Sequence, residues 1–309
     1  MVRRTLLSLA RSERAKHLVT TTPVSSQIVK RFVAGDDIEA AVRTSSELVG
    51  AGLAVSLDHL GEDTVDRAQA DSAVEAYVAM LDRLADAGLT PAAEVSVKLS
   101  AVGQALPGDG ERIAVDSARR ICESARKAGT TVTLDMEDHT TTDSTLSVLR
   151  ELRADFPETG AVVQSYLRRT EADCRDLAGT GSRVRLCKGA YDEPESVAFR
   201  GKAEVDASYL RCLEVLMRGQ GYPMVASHDP RLIEAAGDLA KETDRAPGDF
   251  EYQMLYGIRP EEQKRLAAAG HVVRIYVPYG QEWYGYLMRR LAERPANVAF
   301  FLRSLVSRS

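Results

Sequence analysis

Eight short runs rich in Val, Ile, Leu and Tyr alternate along the chain with longer stretches of helical periodicity, and this alternation restricts the fold more than any other feature. The runs are GLAVSLDHL from Gly52, AEVSVKLSA from Ala93, TTVTLDMED from Thr130, GAVVQSYL from Gly160, SRVRLCKGAY from Ser182, YPMVASHD from Tyr222, FEYQMLYG from Phe250 and HVVRIYVPYG from His271. Most follow a turn containing Gly or Pro. Helical patterns lie between them at Val65–Ala87, Arg112–Ala128, Asp143–Asp155, Glu195–Gly219, Pro230–Glu242 and Pro260–Ala269. Another helix, over about Asp36–Val49, precedes the first run, and a last one, over about Gln281–Val306, follows the eighth. In Val65–Ala87 the residues Ala73, Ala76, Tyr77, Met80, Leu81 and Leu84 recur at helical spacing. Strict β/α alternation requires parallel strands joined by helical crossovers. Eight such units fit a closed (βα)8 barrel of the TIM type, in the α/β class. A doubly wound open sheet has the same alternation, but it places a G-x-G-x-x-G loop at its first strand–helix turn. Here that turn reads DHLGED, and the chain has neither a Walker A motif nor an internal repeat.

Residues 1–35 read as an N-terminal helical arm and residues 36–309 as a single barrel domain. With 44% apolar residues the chain has ample material for a core, and its net charge of −5 gives no general attraction to nucleic acid or to a membrane surface. Cys122, Cys174, Cys187 and Cys212 lack C-x-x-C spacing, which argues against a disulfide framework or a thiolate zinc site and suits a reducing cytoplasm. The start, MVRRTLLSLARSERAK, is basic, but its apolar run is too short for a secretory signal and reads as an amphipathic helix. No apolar stretch approaches the length needed to span a bilayer.

Barrel enzymes carry their chemistry at the C-terminal ends of the strands, so polar residues there are the candidates. Lys98 interrupts the apolar run VSVKLSA and needs an anion if it points inward. Asp135, Glu137, Asp138 and His139 close the third run; Asp135, still within the strand, is the expected partner of Lys98. Arg185 and Lys188 stand three apart on the fifth run, on opposite faces of a regular strand unless a bulge or the turn at Gly189 brings them together. His228 and Asp229 end the sixth run, with Asp229 suited to cap the helix that begins at Pro230. No histidine pair has metal-binding spacing. On the last helix, Tyr286, Arg289, Arg290 and Glu293 share about a third of the circumference. Paired arginines are suited to grip a carboxylate.

Taken in order, RFVAG (Arg31–Gly35), EVSVKLS (Glu94–Ser100), TLDMED (Thr133–Asp138), RLCKGAY (Arg185–Tyr191), ASHD (Ala226–Asp229), FEYQMLYG (Phe250–Gly257), RIYVPYG (Arg274–Gly280) and YLMRRLAERPAN (Tyr286–Asn297) resemble the proline dehydrogenase family in its monofunctional bacterial form. The resemblance implies a distorted (βα)8 barrel with a final helix over its mouth, FAD as cofactor, and oxidation of L-proline to Δ1-pyrroline-5-carboxylate. It implies hydride transfer from proline C5 to FAD N5, a quinone as electron acceptor, and with it a peripheral contact on the inner face of the cell membrane. Residue by residue, it implies catalytic roles for Asp135, which supports Lys98 and shapes the pocket, and for Arg185, beside the reactive edge of the flavin. Lys98, Arg289 and Arg290 would bind the substrate carboxylate, and Tyr276, Tyr286, Ala190 and Leu255 would wall its ring. Met136, Val163, Gln164, Arg185, Lys188, Gly189, Ala190, Tyr191, Ser227, His228 and Glu293 would bind FAD. The chain departs from some relatives at Val205, where they carry a Thr that contacts FAD, and at Asp192, where they stack a Trp. Two other readings of the same residues are a barrel lyase or aldolase, with Lys98 as a Schiff-base lysine or Asp135–His139 on a metal, and a non-catalytic barrel scaffold. The scaffold has no use for buried cations at the strand ends.

Overall fold

A computed structural model describes residue 29, residues 31–62 and residues 64–287. The expected N-terminal amphipathic helix, most of the final helix, Arg289, Arg290 and Glu293 lie outside the described residues. All eight β-rich runs form strands, and all the strand pairs are parallel. In chain order the elements are α1 (Ile38–Gly50), β1 (Ala54–His59), α2 (Arg67–Asp86), β2 (Ala93–Val97), a 3-10 turn (Leu99–Val102), α3 (Gly110–Ala128), β3 (Val132–Leu134), α4 (Thr142–Arg153), β4 (Ala161–Gln164), α5 (Thr170–Leu177), β5 (Arg183–Cys187), α6 (Lys202–Arg218), β6 (Tyr222–Ala226), α7 (Pro230–Glu242), β7 (Glu251–Leu255), α8 (Pro260–Ala268) and β8 (Val272–Tyr279). Asp37, Asp66 and Asp229 cap α1, α2 and α7 through bonds from Ala40 N, Gln69 N and Arg231 N.

Two features depart from the sequence reading. Helix α5 was not expected, because its eight residues, TEADCRDL, carry too few apolar positions to show a period. Helix α6 begins at Lys202 and not at Glu195. The intervening segment forms a strap, in which Arg168 N donates to Val197 O at 2.9 Å and Phe199 N to Tyr166 O at 2.7 Å.

The sheet runs β3-β2-β1-β8-β7-β6-β5-β4. It returns on itself through one bridge, Thr133 to Gly160, where Gly160 N donates to Val132 O at 2.8 Å and Leu134 N to Gly160 O at 2.9 Å. Gly160 is required at this seam, since a Cβ there would stand 2.5 Å from Thr133 Oγ1. The fold is thus a nearly closed eight-stranded barrel with helices between the strands.

Parallel strands covered on both faces usually read as continuous apolar runs. These alternate, because the two sides of the barrel wall meet different surroundings. Val55, Leu57, Val95, Val97, Val132, Leu134, Val184, Leu186, Val225, Met254, Val273, Ile275 and Val277 join one apolar core with residues of the helices. The other side faces the barrel interior and is polar. At its floor Glu94 accepts from Arg183 at 2.7 Å and Thr131 at 2.8 Å, while Arg274 grips Glu251 at 2.8 and 3.1 Å. Burial works against the Glu94 charge, but Arg183 and Arg274 outweigh it and hold the carboxyl well below the usual range.

At the mouth, Glu137 ties β3 to the turn after β2. Its carboxylate accepts from Ser100 N at 3.1 Å and Ser100 Oγ at 2.7 Å. Burial nevertheless pushes this carboxyl up from 4.5 to about 7, and the Ser100 bonds and the Lys98 charge offset it only in part. The native state therefore holds the proton more tightly than the unfolded chain does, and stability falls as pH rises from 4.5 to about 7. The loss is about 3 kcal/mol. Denaturant titrations at pH 5 and pH 8 should show Glu137→Gln losing less stability across this interval than the wild type. Equal losses in the two proteins would contradict the buried-carboxyl account.

Candidate active site

The C-terminal ends of the strands open into a cavity of about 850 Å³. Its inner end is organised by Arg185, which is 5% exposed and reaches from β5 across the barrel interior. Its guanidinium donates to Oδ1 of Asp135, which stands just past the end of β3 and not within it, at 2.6 Å, to Ser96 Oγ on β2 at 2.9 Å and Ser56 Oγ on β1 at 3.2 Å, and through Nε to Gln253 on β7. It also lies 5.2 Å from the centroid of the Tyr276 ring on β8. Tyr276 Oη donates to the second oxygen of Asp135 at 2.7 Å.

Lys98 follows the last residue of β2 and is 7% exposed. Asp135, the expected partner, does pair with Lys98, its Oδ2 3.9 Å from Nζ, while its shorter contacts go to Arg185, Ser96 and Tyr276. The close partner is Asp58 on β1, at 2.5 Å. Burial alone would lower the Lys98 pKa; the charges of Asp58, Asp135 and Glu62 outweigh it and hold the ammonium well above its usual value. A neutral amine, as imine formation with a carbonyl substrate requires, is disfavoured here.

Arg185 and Lys188 do line the same cavity. Strand β5 ends at Cys187, so Lys188 escapes the alternation, and Gly189 turns the chain at φ +106°. A Cβ on Gly189 would meet the Tyr166 ring at 2.1 Å, so the turn can lie against that ring only as glycine. Lys188 Nζ is held by Asp206 at 2.6 Å and Asp229 at 3.3 Å. Asp229 thus both caps α7 and serves the cavity. His228 Nε2 accepts from Leu255 N at 2.9 Å, which places the proton of a neutral ring on Nδ1. Over this end of the cavity the strap is fastened by Glu193, which accepts from His139 N at 2.9 Å, from Tyr166 Oη at 3.0 Å and from the His139 ring.

Of the residues singled out in the sequence, Lys98, Asp135, Met136, Gln164, Arg185, Lys188, Gly189, Ala190, Tyr191, Ser227, His228, Leu255, Tyr276 and Tyr286 all line this cavity. Val163 does not; its neighbours Val162 and Gln164 do, as alternation along β4 requires. Val205 also lines the cavity, while Asp192 pairs with Arg200 at 2.8 Å. Asp58 and Asp206 went unnoticed in the sequence. Asp58 had a signal, an acid inside the apolar run AVSLDH, equivalent to the lysine inside VSVKLSA. Among the described residues no group of three or more His, Cys, Asp or Glu side chains is placed to share a metal ion. Asp135 and His139 point to different partners, Arg185 and Glu193.

The chain is similar to known proteins over most of its length. The chain is 39% identical over 279 residues to proline dehydrogenase 1 of Bacillus subtilis (strain 168), covering 90% of this chain and 91% of that protein. It is 40% identical over 281 residues to proline dehydrogenase of Deinococcus radiodurans, covering 90% of each. Among solved structures, proline utilization A (PutA) from Bdellovibrio bacteriovorus inactivated by N-propargylglycine superposes with a TM-score of 0.78 at 27% identity, over 86% of this chain and 32% of that longer one. PutA of Bradyrhizobium japonicum (mutant D778Y), at 23% identity over 91% of this chain and 32% of that one, shares the fold with a TM-score of 0.73. The sequence profile of proline dehydrogenase matches residues 41–303, a span that takes in all eight strands and the whole lining of the cavity, and the chain belongs to the proline dehydrogenase family.

Proposed function

We propose that this protein oxidises L-proline to Δ1-pyrroline-5-carboxylate, the first step of proline breakdown, with FAD as cofactor and a quinone as final electron acceptor. The observation that carries this reading is the convergence of Lys98, Arg185 and Lys188 on one strand-end cavity, in a chain whose close relatives are proline dehydrogenases.

The residues present fit a flavin dinucleotide. The cavity, about 850 Å³, has the size of a cofactor site. Its β4–β6 side offers Gln164, Lys188, Ser227 and His228 as polar groups and the Gly189 turn as a close approach of backbone. Met136, Gln164, Arg185, Lys188, Gly189, Ala190, Tyr191, Ser227 and His228 would hold FAD, joined by Glu293. When bound, FAD supplies at N5 the two-electron acceptor for the hydride that leaves proline C5. Arg185 and Lys188 put positive charge on the cavity wall, which favours the arrival of negative charge there.

On the β1–β3 and β8 side, Lys98 presents an ammonium and would bind the proline carboxylate together with Arg289 and Arg290. Tyr276, Tyr286, Leu255 and Ala190 would enclose the ring. Asp135 fixes two of these groups at once, Arg185 by an ion pair and Tyr276 by a hydrogen bond, so the wall of the pocket is set before substrate arrives. The ring nitrogen has to be neutral before the hydride leaves, because a protonated amine has no lone pair to give to the forming imine. The cations that bind the carboxylate also lower the pKa of that amine. No helix among the described residues is long and apolar enough to cross a membrane. A peripheral contact with the membrane would deliver the electrons to a membrane quinone.

The purified protein should be yellow, and L-proline should bleach the flavin absorbance under anaerobic conditions. A colourless protein that FAD cannot reconstitute would overturn the reading. Arg289→Met and Arg290→Met should each raise the KM for proline roughly 10- to 100-fold while FAD stays bound, the cost of one charge-assisted contact. Wild-type KM values in both variants would remove the two arginines from the carboxylate site.

A further inference from the structure

We propose that Asp58 is a positioning residue of the substrate site: it fixes the Lys98 ammonium at the cavity wall and keeps it charged for the substrate carboxylate. This rests on the reading of the cavity as a proline site and deepens it.

The geometry singles out Asp58. Its partners in the barrel register are Ser96 on β2 and Pro278 on β8, so it stands in the wall beside the strand that carries Lys98. Lys98 lies two residues beyond Ser96 and faces the same side. Asp58 is 0% exposed, its Oδ1 meets Lys98 Nζ at 2.5 Å, and both residues line the cavity. Burial raises the Asp58 pKa, with Lys98 and Tyr276 opposing it in favour of the charged form, and its Oδ2 has no hydrogen bond of good geometry among the described residues. A carboxylate placed only for stability would be expected to have both oxygens satisfied, and an apolar pair would often serve as well. Asp135 adds its charge from 3.9 Å, but its hydrogen bonds go to Arg185, Ser96 and Tyr276 and not to Lys98.

Other groups act on Lys98 from every side. His59 and Glu62 belong to β1 and the loop after it, Asp135 and Glu137 to β3 and its exit, Tyr276 to β8, and Arg185 on β5 is joined through Asp135. Of the acids, Asp58 alone is in hydrogen-bond contact. Burial opposes the ammonium, and Asp58 is the foremost charge that overcomes it. An ammonium has three donors, and among the described residues Asp58 engages one, leaving two for a carboxylate.

The test uses the holoenzyme and tetrahydrofuran-2-carboxylate, a ring carboxylate with oxygen in place of the amine. This probe has no amine to titrate, and between about pH 8 and 9.5 Glu137 has already lost its proton, so any pH dependence of its binding in that range belongs to Lys98 and its partners. Calorimetry should give a nearly constant Kd for the wild type. In Asp58→Asn, Kd should rise by about tenfold per pH unit above a new midpoint within this range, as Lys98 loses its proton. The KM for proline should rise more than kcat falls. The double variant Asp58→Asn/Lys98→Arg should restore a flat profile, because a guanidinium stays charged. A flat profile in Asp58→Asn, or one as steep in the double variant as in the single, overturns the proposal.

If Asp58→Asn does not fold, the Nζ signal of Lys98 in wild-type holoenzyme labelled with 15N-lysine decides. It should still be an ammonium at about pH 10.5, the ordinary lysine midpoint, and titration at or below that value overturns the proposal. A wild type that neither binds the probe nor oxidises proline would sink the functional reading instead, and the Nζ titration would still decide the role of Asp58.

Discussion

The guanidinium of Arg185 crosses the barrel interior, and much of the site is built around the need to satisfy it there. Little water reaches a side chain that is 5% exposed, so the chain itself has to supply the counter-charge and most of the acceptors. Asp135, just past β3, brings the charge, and Ser56, Ser96 and Gln253, on β1, β2 and β7, bring the remaining acceptors. Stranding one partner of such a pair costs about 3–5 kcal/mol. The identities of these inward residues are therefore linked. Gln253 accepts from Arg185 and donates to Glu251, Glu251 holds Arg274, and Arg274 reaches the carbonyls of Val55 and Ala92 at 3.0 and 3.2 Å. A single polar column thus runs from the barrel floor to the cavity, where Asp135, Tyr276, Lys98 and Asp58 end it.

That column is affordable because the barrel does not depend on its interior for apolar burial. Barrels of this type commonly fill the centre with branched aliphatic side chains. Here the aliphatic residues of the strands face outward and join the helices in one core, so the hydrophobic contribution comes from the shell. The interior is left to groups whose value is orientation. A carboxylate with three fixed donors, as Asp135 has, does not have to reorganise when a substrate binds.

The eight strands and seven of the helices were legible in the sequence because each has a clear period and a Gly, Pro or Asp at its edge. Helix α5 was not, since eight residues with three apolar positions hold no clear period. The strap before α6 was read as helix, because Glu195–Arg200 looks helical to local rules, whereas backbone bonds to Tyr166 and Arg168 fix it as an extended turn. The strand-end rule found Lys98, Asp135, Arg185, Lys188 and His228, but could not say who pairs with whom. Asp135 was the nearer guess for Lys98, and only the register of β1 against β2 reveals Asp58 as the contact. The alternation of polar and apolar residues inside the strands was present throughout.

The seam between β3 and β4 shows why the site lies where it does. Only the bridge at Gly160 joins these strands through the backbone, at the end far from the cavity. Towards the mouth the ladder is replaced by side chains. Gln164 Nε2 on β4 donates to the carbonyl of Glu137 at 2.6 Å, and the strap residue Glu193 holds His139 after β3 and Tyr166 after β4. Arg185 and Asp135 cross the same gap from β5 to β3. A fully paired seam would bring the two strands to ladder spacing all the way up and leave no room between them. By letting side chains carry the upper part, the barrel opens a cavity in its own wall and still closes. The residues that close it, Gln164, Arg185 and Asp135, are also residues that line it. A change at any of them acts on barrel closure and on the pocket together, so a loss of activity in such a variant has to be read beside its stability.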